Sequence, residues 1–340
     1  MLGLRLFGVL IFLVAPAFSL VGQSAGAAGP TFVVPDSALS PSPVIVAYGD
    51  IRFTDPHETG ATNPTVRRWL VDEIAKAKPD AILISGDIPW HGANKNDYDV
   101  FREETAAWRA KHLRVYPALG NHELYSHGLV TSTEAGLRNW WDTFPELRGK
   151  RWYSVQFGSR VYVLTLDSTS SLRAGSEQMT WIRQQLSALP ASVQFVFFDM
   201  HHPPVADVQR FGDPSHNPRR NEITLARYLN SSPLRSRVRF IVVAAHIHNY
   251  ERFSQRGVTY IVSGGGGAAP RVVHRKRSDL FQQDLFPNYH YLKFVINGNA
   301  LQATMYRVAD PRARSTPTWE TPDGFTLLAP TVAAAKTAQR

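Results

Sequence analysis

The sequence predicts an α/β domain, and three observations carry this prediction. Apolar, β-branched runs recur from residue 44 onward, and several are nearly continuous rather than alternating, which is typical of strands covered on both faces. Helical patterns separate the first of these runs, as in alternating β and α elements. The chain has 340 residues, of which 44% are hydrophobic, so it can build one large core, and no repeat or second core interrupts the pattern.

The chain begins with an apolar segment that predicts an export signal. Residues 1–18 carry one charge, Arg5, and small residues follow at Ala25 and Ala27 in the A-x-A arrangement of a cleavage site. We therefore predict a signal peptide over residues 1–27 and a secreted or periplasmic protein. An uncleaved membrane anchor is the alternative, but the apolar run is shorter than the roughly 20 residues of a spanning helix. No later stretch resembles a transmembrane segment.

The middle of the chain predicts one continuous domain over residues 43–309. Residues 28–42 are rich in proline, serine and alanine and predict a linker or extended arm. Residues 289–308 predict a β-hairpin about the "NGN" turn, and residues 310–340 are expected to form a C-terminal tail. The six strands predicted before the hairpin are "VIVAY" (44–48), "AILIS" (81–85), "VYVLTL" (161–166), "QFVFF" (194–198), "RFIVVAA" (239–245) and "VTYIVS" (258–263).

Three helical patterns lie among these strands. The first, "NPTVRRWLVDEIAKAKP", has Asn63 as its N-cap, Pro64 in its first turn and Pro79 at its end. Similar patterns cover residues 96–112 and 175–190. Their positions favour the α/β class.

The chain carries a formal net charge of +9 and no cysteine. The charge could favour anionic substrates or polyanionic surfaces. The basic residues are spread along the chain, however, with one local cluster at residues 274–277, and no specific nucleic-acid motif is present. Without cysteine there are no disulfides, and any metal must be held by His, Asp, Glu or Asn, which suit hard or borderline ions.

Polar side chains of the metal-binding type stand just after five of the apolar runs. In α/β sheets, ligands bind beyond the carboxyl ends of the strands, so these residues would meet at one rim. Each segment alone has a plainer explanation, because an Asp after a strand often forms a turn or caps a helix. Five such segments together favour one site. They end at Asp50, at Asp87, at Asn121 with His122 and Glu123, at His201 with His202, and at His246 with His248.

In this order the segments resemble the signature of the calcineurin-like metallophosphoesterases, a superfamily that includes the purple acid phosphatases. That signature runs D-x-H, G-D, G-N-H-[DE], a later H, and G-H-x-H. The resemblance spans about residues 44–298 and implies a four-layer α/β/β/α sandwich, with two mixed sheets flanked by helices in a single catalytic domain. The matching residues are Asp50-Ile51-Arg52, Gly86-Asp87, Gly120-Asn121-His122-Glu123, His201 and Ala245-His246-Ile247-His248.

The resemblance also implies a centre of two divalent or trivalent metal ions. Asp87 would bridge the ions, and Mn, Fe, Zn and Co are all candidates. A hydroxide bridging the ions would attack phosphorus while the ions clamp the phosphoryl oxygens. The remaining ligands would be Asn121, His201 and His246 on one ion, and Asp50 and His248 on the other.

Other matching residues would contact the substrate. His122 would be the general acid or a phosphate contact, with Glu123 orienting it by a hydrogen bond. His202, beside the ligand His201, is either a substrate-binding residue or a packing residue.

The chain departs from the signature at two positions. Ala245 replaces a glycine, which is minor if the backbone there avoids positive φ. Arg52 replaces the histidine of D-x-H, and a guanidinium has no lone pair to give a metal. Purple acid phosphatases also lack that histidine and use a tyrosine three residues after the bridging aspartate. Here that position is Trp90, which cannot ligate, and His91 is a possible replacement ligand or a surface-loop residue.

Three hypotheses account for Arg52. The guanidinium binds the substrate phosphate, for which its geometry is well suited. Alternatively, the metal beside Asp50 is weak or absent. In the third hypothesis, catalysis is lost and the chain is a binding protein. We favour the first, because the other signature residues are present.

The sequence thus predicts an exported metal-dependent phosphoesterase acting on a small phosphate ester or nucleotide. It does not distinguish a monoesterase from a diesterase, and the oligomeric state stays open. The alternative is a noncatalytic or single-metal protein that binds phosphate ligands on the same scaffold.

Overall fold

The computed structural model describes residues 29–124, 133–209 and 216–331. The predicted signal peptide lies outside these ranges. None of the helices within them has the length and apolar character required to cross a bilayer. The helices are α1 (Pro64–Ala77), α2 (Lys95–Glu104), α3 (Ala106–Ala110), α4 (Thr133–Thr143), α5 (Glu177–Ser187) and α6 (Arg220–Ser231).

The strands follow the predicted runs closely and add several short ones. They are β1 (Phe32–Val34), β2 (Val44–Tyr48), β3 (Ala81–Ile84), β4 (Val115–Pro117), β5 (Tyr153–Phe157), β6 (Val161–Thr165), β7 (Phe195–Asp199), β8 (Val208–Gln209), β9 (Arg239–Ala244), β10 (Tyr250–Gln255), β11 (Val258–Ser263), β12 (Val273–His274), β13 (His290–Asn297), β14 (Ala300–Val308), β15 (Trp319–Glu320) and β16 (Gly324–Leu328). The predicted hairpin is β13 and β14, in register from His290 opposite Arg307 to Asn297 opposite Ala300.

Two mixed seven-stranded sheets lie at the centre. The first has the order β1-β5-β6-β7-β9-β11-β10, and the second has the order β15-β14-β13-β2-β3-β4, with β16 also paired to β14. In the second sheet β2, β3 and β4 are parallel neighbours, and in the first β7 and β9 are parallel neighbours. The strands that precede the predicted site residues therefore lie side by side in each sheet.

The core forms between the sheets and beneath the helices. One buried cluster joins both sheets, and Phe197 of β7 contacts Phe294 of β13 edge to face, with ring centroids 5.2 Å apart. The same cluster includes Leu70 of α1 and Trp108 of α3 on the second sheet. A second cluster packs α5 and α6 against the first sheet. The predicted α/β fold, with two mixed sheets and flanking helices, is confirmed.

Local chemistry explains where the helices begin and end. Asn63 caps α1, because its side chain accepts a hydrogen bond from the Val66 N–H at 3.1 Å, and Ser176 caps α5 in the same way. The helix predicted over residues 96–112 is instead two helices. Thr105 between them has a ψ of 16°, and its hydroxyl donates to the Phe101 carbonyl at 2.6 Å, which interrupts the helix.

Both ends of the described chain extend the sheets beyond the predicted domain. β1, in the segment predicted as a linker or arm, pairs in parallel with β5. β15 and β16, in the predicted tail, pair with β14, and Trp319 contacts Tyr291 with ring centroids 6.1 Å apart. The domain therefore reaches past the boundaries drawn at 43 and 309. β1 and β15 have three and two residues, too few for an apolar pattern to identify them, and none of the five residues of β16 is buried.

The placement of Phe197 between the sheets predicts a large loss of stability for Phe197→Ala. The free energy of unfolding should fall by about 3–5 kcal/mol, because the change removes a ring from a packed core and leaves a cavity. Urea unfolding followed by fluorescence measures this loss. Val33 is 61% exposed on β1, so Val33→Ala should change the free energy by no more than about 0.5 kcal/mol. Equal effects of the two changes would contradict this account of the core.

Candidate metal centre

Residues from both sheets meet at one point. Asp50, Asp87 and Asn121 follow β2, β3 and β4 of the second sheet, while His201 and His246 follow β7 and β9 of the first. The two aspartates and the two histidines are buried. The five strand ends therefore form one rim.

The Nε2 atom of His201 is the centre of one group of ligand atoms. It lies 3.2 Å from Asp87 Oδ1, 2.9 Å from Asn121 Oδ1 and 3.1 Å from His246 Nδ1. The other ring nitrogen, Nδ1, lies 2.9 Å from the Ser85 carbonyl oxygen. A carbonyl only accepts hydrogen bonds, so Nδ1 carries the hydrogen and Nε2 carries a lone pair. Two imidazole nitrogens held by one ion at about 2.0–2.1 Å lie about 3 Å apart, so this group fits a metal shell.

Asp50 and His248 form the second group. Both carboxylate oxygens of Asp50 and the Nε2 atom of His248 are buried and have no hydrogen-bond partner among the described residues. His248 Nε2 lies 3.6 Å from Asp50 Oδ1, and His248 Nδ1 lies 2.5 Å from the Ala269 carbonyl, which leaves the lone pair on Nε2. Buried acceptors without donors are costly. A cation between Asp50 and His248 would satisfy all three atoms.

Asp87 links the two groups, because ligand atoms of Asp50, Asp87 and His201 lie within 4.8 Å of one another. Its Oδ1 lies beside His201 and accepts a hydrogen bond from the His122 N–H at 3.0 Å, and its Oδ2 lies 3.5 Å from Arg52 Nη2. Burial alone would raise the pKa of Asp87, but His122, His201 and Arg52 outweigh it and hold the pKa well below its usual value. Burial, and then the charge of Asp87, raise the pKa of Asp50 well above its usual value. Two such carboxylates ionise together only where cations compensate them.

Four residues of the centre have left-handed backbone conformations. The φ angle is 56° at Asp50, Arg52 and Asp87, and 68° at His246. This region costs non-glycine residues about 1–3 kcal/mol each, and such residues concentrate at functional sites. Ala245 is not among the residues with positive φ, so an alanine in place of the signature's glycine is tolerated there.

Trp90 orients His122. The His122 Nδ1–H donates to the Trp90 carbonyl at 2.7 Å, and the two rings stack with centroids 4.8 Å apart. The Nε2 atom therefore faces the centre, 3.7 Å from Asp87 Oδ2. Burial, partly offset by the charge of Asp87, lowers the pKa of His122 to about 4.

Glu123 has a different place from the one expected. Its carboxylate accepts main-chain N–H bonds from Asp87 at 3.1 Å and from Ile88 and Gly120 at 2.7 Å each. It thus fastens the turn after β3 to the turn after β4. Burial, and then the charge of Asp87, raise the pKa of Glu123 to about 8.

Arg52 lies inside the centre and is only 9% exposed. Its guanidinium carbon stands 4.9 Å from the centroid of the Trp90 ring, beside the contact of Nη2 with Asp87. Its Nε atom is buried and has no hydrogen-bond partner within the described ranges. Arg67 holds the loop in place by donating to the Arg52 carbonyl at 3.1 Å. The position of the histidine in D-x-H therefore carries a cation with an unused donor.

Two further predicted residues take different positions. His202 lies in the centre: its ring is 4.2 Å from the ring of His246, and its Nδ1 bonds the Ser168 hydroxyl at 2.8 Å. With His201 and His246 it offers ligand atoms within 4.8 Å of one another. The His91 ring instead packs on Trp90, with centroids 4.9 Å apart. Its role as an extra metal ligand stays a prediction.

Sequence reasoning missed several contributors to the centre. His216 stacks on His246 with centroids 4.6 Å apart, but it follows no strand, so no pattern marked it. Gly264 also shapes the centre, because a Cβ there would lie 2.4 Å from Asp50 Oδ2. Gly120 is under the same constraint, because a Cβ there would lie 2.4 Å from Asp87 Oδ1. The glycine run at 264–267 was the signal for such a close approach.

Comparisons with known proteins agree with this geometry. The family model described as calcineurin-like phosphoesterase matches residues 49–264. No curated protein matches the sequence. Among solved structures, purple acid phosphatase PPD1 from yellow lupin (Lupinus luteus) seeds has a TM-score of 0.64 at 17% identity, over 87% of this chain and 55% of that one. This chain therefore spans little more than half of the lupin protein.

Two other structures share the fold. A dimetal phosphatase from Danio rerio has a TM-score of 0.54 at 15% identity, over 84% of this chain and all of that one. PhoD has a TM-score of 0.60 at 14% identity, over 87% of this chain and 71% of that one. At these identities the structural likeness establishes the fold alone. The family model covers more than half of the chain, including the segments that carry the candidate metal ligands. The protein belongs to the calcineurin-like phosphoesterase family.

Proposed function

We propose that the protein is an exported phosphoesterase that hydrolyses small phosphate mono- or diesters, nucleotides among them, with two metal ions. One observation carries the proposal: ligand atoms of Asp50, Asp87 and His201 lie within 4.8 Å of one another, beside the unpartnered buried atoms of Asp50 and His248. The family implies a dinuclear centre, and carboxylate, amide and imidazole ligands suit Mn, Fe, Zn or Co. Export rests on residues 1–27 alone.

When bound, the ions would lower the pKa of a water molecule and neutralise charge on the phosphoryl oxygens. The chain supplies the groups around them. His122 presents Nε2 to the centre, and in its protonated form this atom can donate a hydrogen bond to a phosphoryl or leaving-group oxygen. Arg52 presents a guanidinium that suits bidentate contact with phosphate. Trp90 holds both groups in place by ring contacts.

The second candidate is a phosphate-binding protein with one metal or none. Arg52 favours it, because the Asp50 group lacks the histidine of the signature and a guanidinium stands nearby. A cation there repels an incoming metal ion. We prefer the enzyme, because Asp50 and His248 keep buried acceptors that a metal ion between them would satisfy.

The proposal predicts hydrolysis of p-nitrophenyl phosphate, of bis-p-nitrophenyl phosphate, or of both, after loading with Mn²⁺. Chelation should remove the activity and added metal should restore it. Asp87→Asn should remove both the activity and most of the bound metal, because the shared ligand is lost. Asp72→Asn changes an exposed carboxylate on α1 and should alter neither quantity. A metal-loaded protein inactive on both esters, and on a nucleotide and lipid panel, would favour the binding protein.

The assigned role of Arg52 predicts a defect in substrate binding. Arg52→Ala should retain its metals at saturating Mn²⁺ but lose about 1.5–3 kcal/mol of charged hydrogen bonding to phosphate, or about tenfold to a hundredfold in kcat/KM, mainly through KM. Arg52→Lys keeps the charge without the planar guanidinium and should show a smaller loss of kcat/KM. Arg138→Ala, at a site 63% exposed, is the matched control. Unchanged kinetics in Arg52→Ala would refute the proposed contact between Arg52 and the substrate phosphate.

The same residue predicts unequal metal sites. In the wild type one equivalent should bind more weakly, because the Asp50 side lacks a ligand and faces Arg52. Arg52→His restores the signature's ligand and removes the nearby guanidinium, so it should tighten the weaker equivalent. Calorimetric titration of the metal-free protein with Mn²⁺ measures both affinities. Two equal affinities that Arg52→His leaves unchanged would contradict the assignment.

A further inference from the structure

Ser168 brings a sixth strand end to the metal centre. It stands three residues after the end of β6, which is the parallel neighbour of β7, and it is 1% exposed. Its hydroxyl oxygen accepts the His202 main-chain N–H at 2.9 Å and lies 2.8 Å from His202 Nδ1. Ser168 therefore fixes both the backbone and the ring of His202.

The loop that carries Ser168 is itself held on several sides. The Asp167 carboxylate accepts hydrogen bonds from Arg151 Nε at 2.7 Å and from the Thr169 N–H at 2.8 Å. The Ser168 carbonyl accepts a hydrogen bond from Arg219 Nη2 at 2.7 Å. The serine hydroxyl is thus placed by the surrounding structure and does not depend on His202 for its position.

The hydrogen of the Ser168 hydroxyl determines the tautomer of His202. A buried hydroxyl gives its single hydrogen to an acceptor. Within the described ranges this hydroxyl has two contacts, and one of them, the His202 main-chain N–H, is itself a donor. The hydrogen therefore goes to Nδ1, and in a neutral imidazole the other ring nitrogen then carries the ring hydrogen. His202 has an Nε2–H and no free lone pair.

This tautomer is opposite to that of the neighbouring histidines. The Nδ1 atoms of His201, His248 and His122 face carbonyl oxygens, so their Nε2 atoms carry lone pairs in the neutral rings. One ring nitrogen of His202 lies within 4.8 Å of ligand atoms of His201 and His246. A nitrogen that carries hydrogen cannot bind a metal ion, but it can donate to an oxygen atom that a metal ion holds.

The Nε2–H of His202 also lacks an acceptor. His202 is only 5% exposed, and in the described part of the chain its ring makes one hydrogen bond, the contact of Nδ1 with Ser168. A nearly buried N–H without an acceptor is costly, so a ligand oxygen at this position would be stabilised.

We propose that His202 is a neutral hydrogen-bond donor to an oxygen of the substrate phosphate. The inference rests on the proposed function, because it places the phosphate at the same metal centre. It gives the site a donor that requires no proton uptake, whereas Nε2 of His122 donates only in the protonated ring. His202 is then a substrate contact and neither a metal ligand nor a packing residue.

The tautomer can be measured directly by long-range ¹H–¹⁵N NMR on the Zn²⁺-loaded protein, because Zn²⁺ is diamagnetic. His202 should show a protonated Nε2 and an unprotonated Nδ1, while His201 and His248 should show protonated Nδ1 atoms and metal-bound Nε2 atoms. The His202→Gln variant identifies the His202 signals by their loss. A protonated Nδ1 on His202, with Nε2 either bare or metal-bound, would overturn the proposal.

Methylphosphonate tests the contact without hydrolysis, because it contains no ester bond. By calorimetry on the Mn²⁺-loaded protein, His202→Ala should bind it about tenfold to a hundredfold more weakly, the range for a hydrogen bond to a charged group. His202→Gln retains an amide N–H and should recover most of the affinity. Titration of each metal-free variant with Mn²⁺ should give the wild-type metal affinities. His274→Ala, which changes an exposed histidine of β12, is the matched control.

Two results of these titrations would refute the inference. Weaker Mn²⁺ binding by His202→Ala would make His202 a metal ligand, and unchanged methylphosphonate binding would leave it a packing residue. An inactive protein with the predicted losses of methylphosphonate affinity would refute the proposed function alone. An active enzyme whose kcat/KM is unchanged in His202→Ala would refute the inference alone, and a wild type that binds no methylphosphonate would contradict both.

Discussion

The meeting of Asp50 and Asp87 at the junction of two sheets is the constraint on which the rest of the site depends. Both carboxylates are fully buried, and burial first and the weakly screened charge of Asp87 second raise the pKa of Asp50. The neighbouring strands β2 and β3 end side by side and bring the two groups together. Both carboxylates can be ionised together only with compensating cations, which the histidines of the first sheet, with their lone pairs turned inward, are placed to help hold.

Main-chain groups do much of the orienting. Carbonyls of Ser85, Ala269 and Trp90 each accept the Nδ1 hydrogen of one histidine, so that three Nε2 atoms face the centre. Glu123 joins two loops through three main-chain N–H groups rather than touching a reacting group. The left-handed turns at Asp50 and Asp87 are held by these contacts and by the sheets. The geometry of the side chains is therefore set by backbone that the residue types alone do not reveal.

The division between the residue types and the backbone that orients them explains what the sequence could predict. The fold class followed from long apolar runs, and the candidate ligands from polar residues at their ends. The short strands β1, β15 and β16 could not be predicted, because pairing with β5 and β14 defines them and their own pattern does not. His216 could not be predicted for a related reason. It lies outside the strands and α-helices, where the position of a residue depends on contacts far away in the chain and periodicity carries no information.

Arg52 and Trp90 are best understood as a linked pair of replacements. Each stands where relatives that resemble this chain can place a metal ligand, and here the guanidinium lies over the indole while the indole stacks on His122. A centre with two divalent ions is already positive, so an added guanidinium disfavours the metal beside Asp50 until an anion arrives. If Arg52 binds the substrate phosphate as proposed, the bound phosphate offsets that repulsion. By thermodynamic reciprocity, phosphate and the weaker metal must then strengthen each other's binding. Arg52 in place of histidine thus weakens binding of the metal beside Asp50 while no substrate is bound, and bound substrate offsets this weakening.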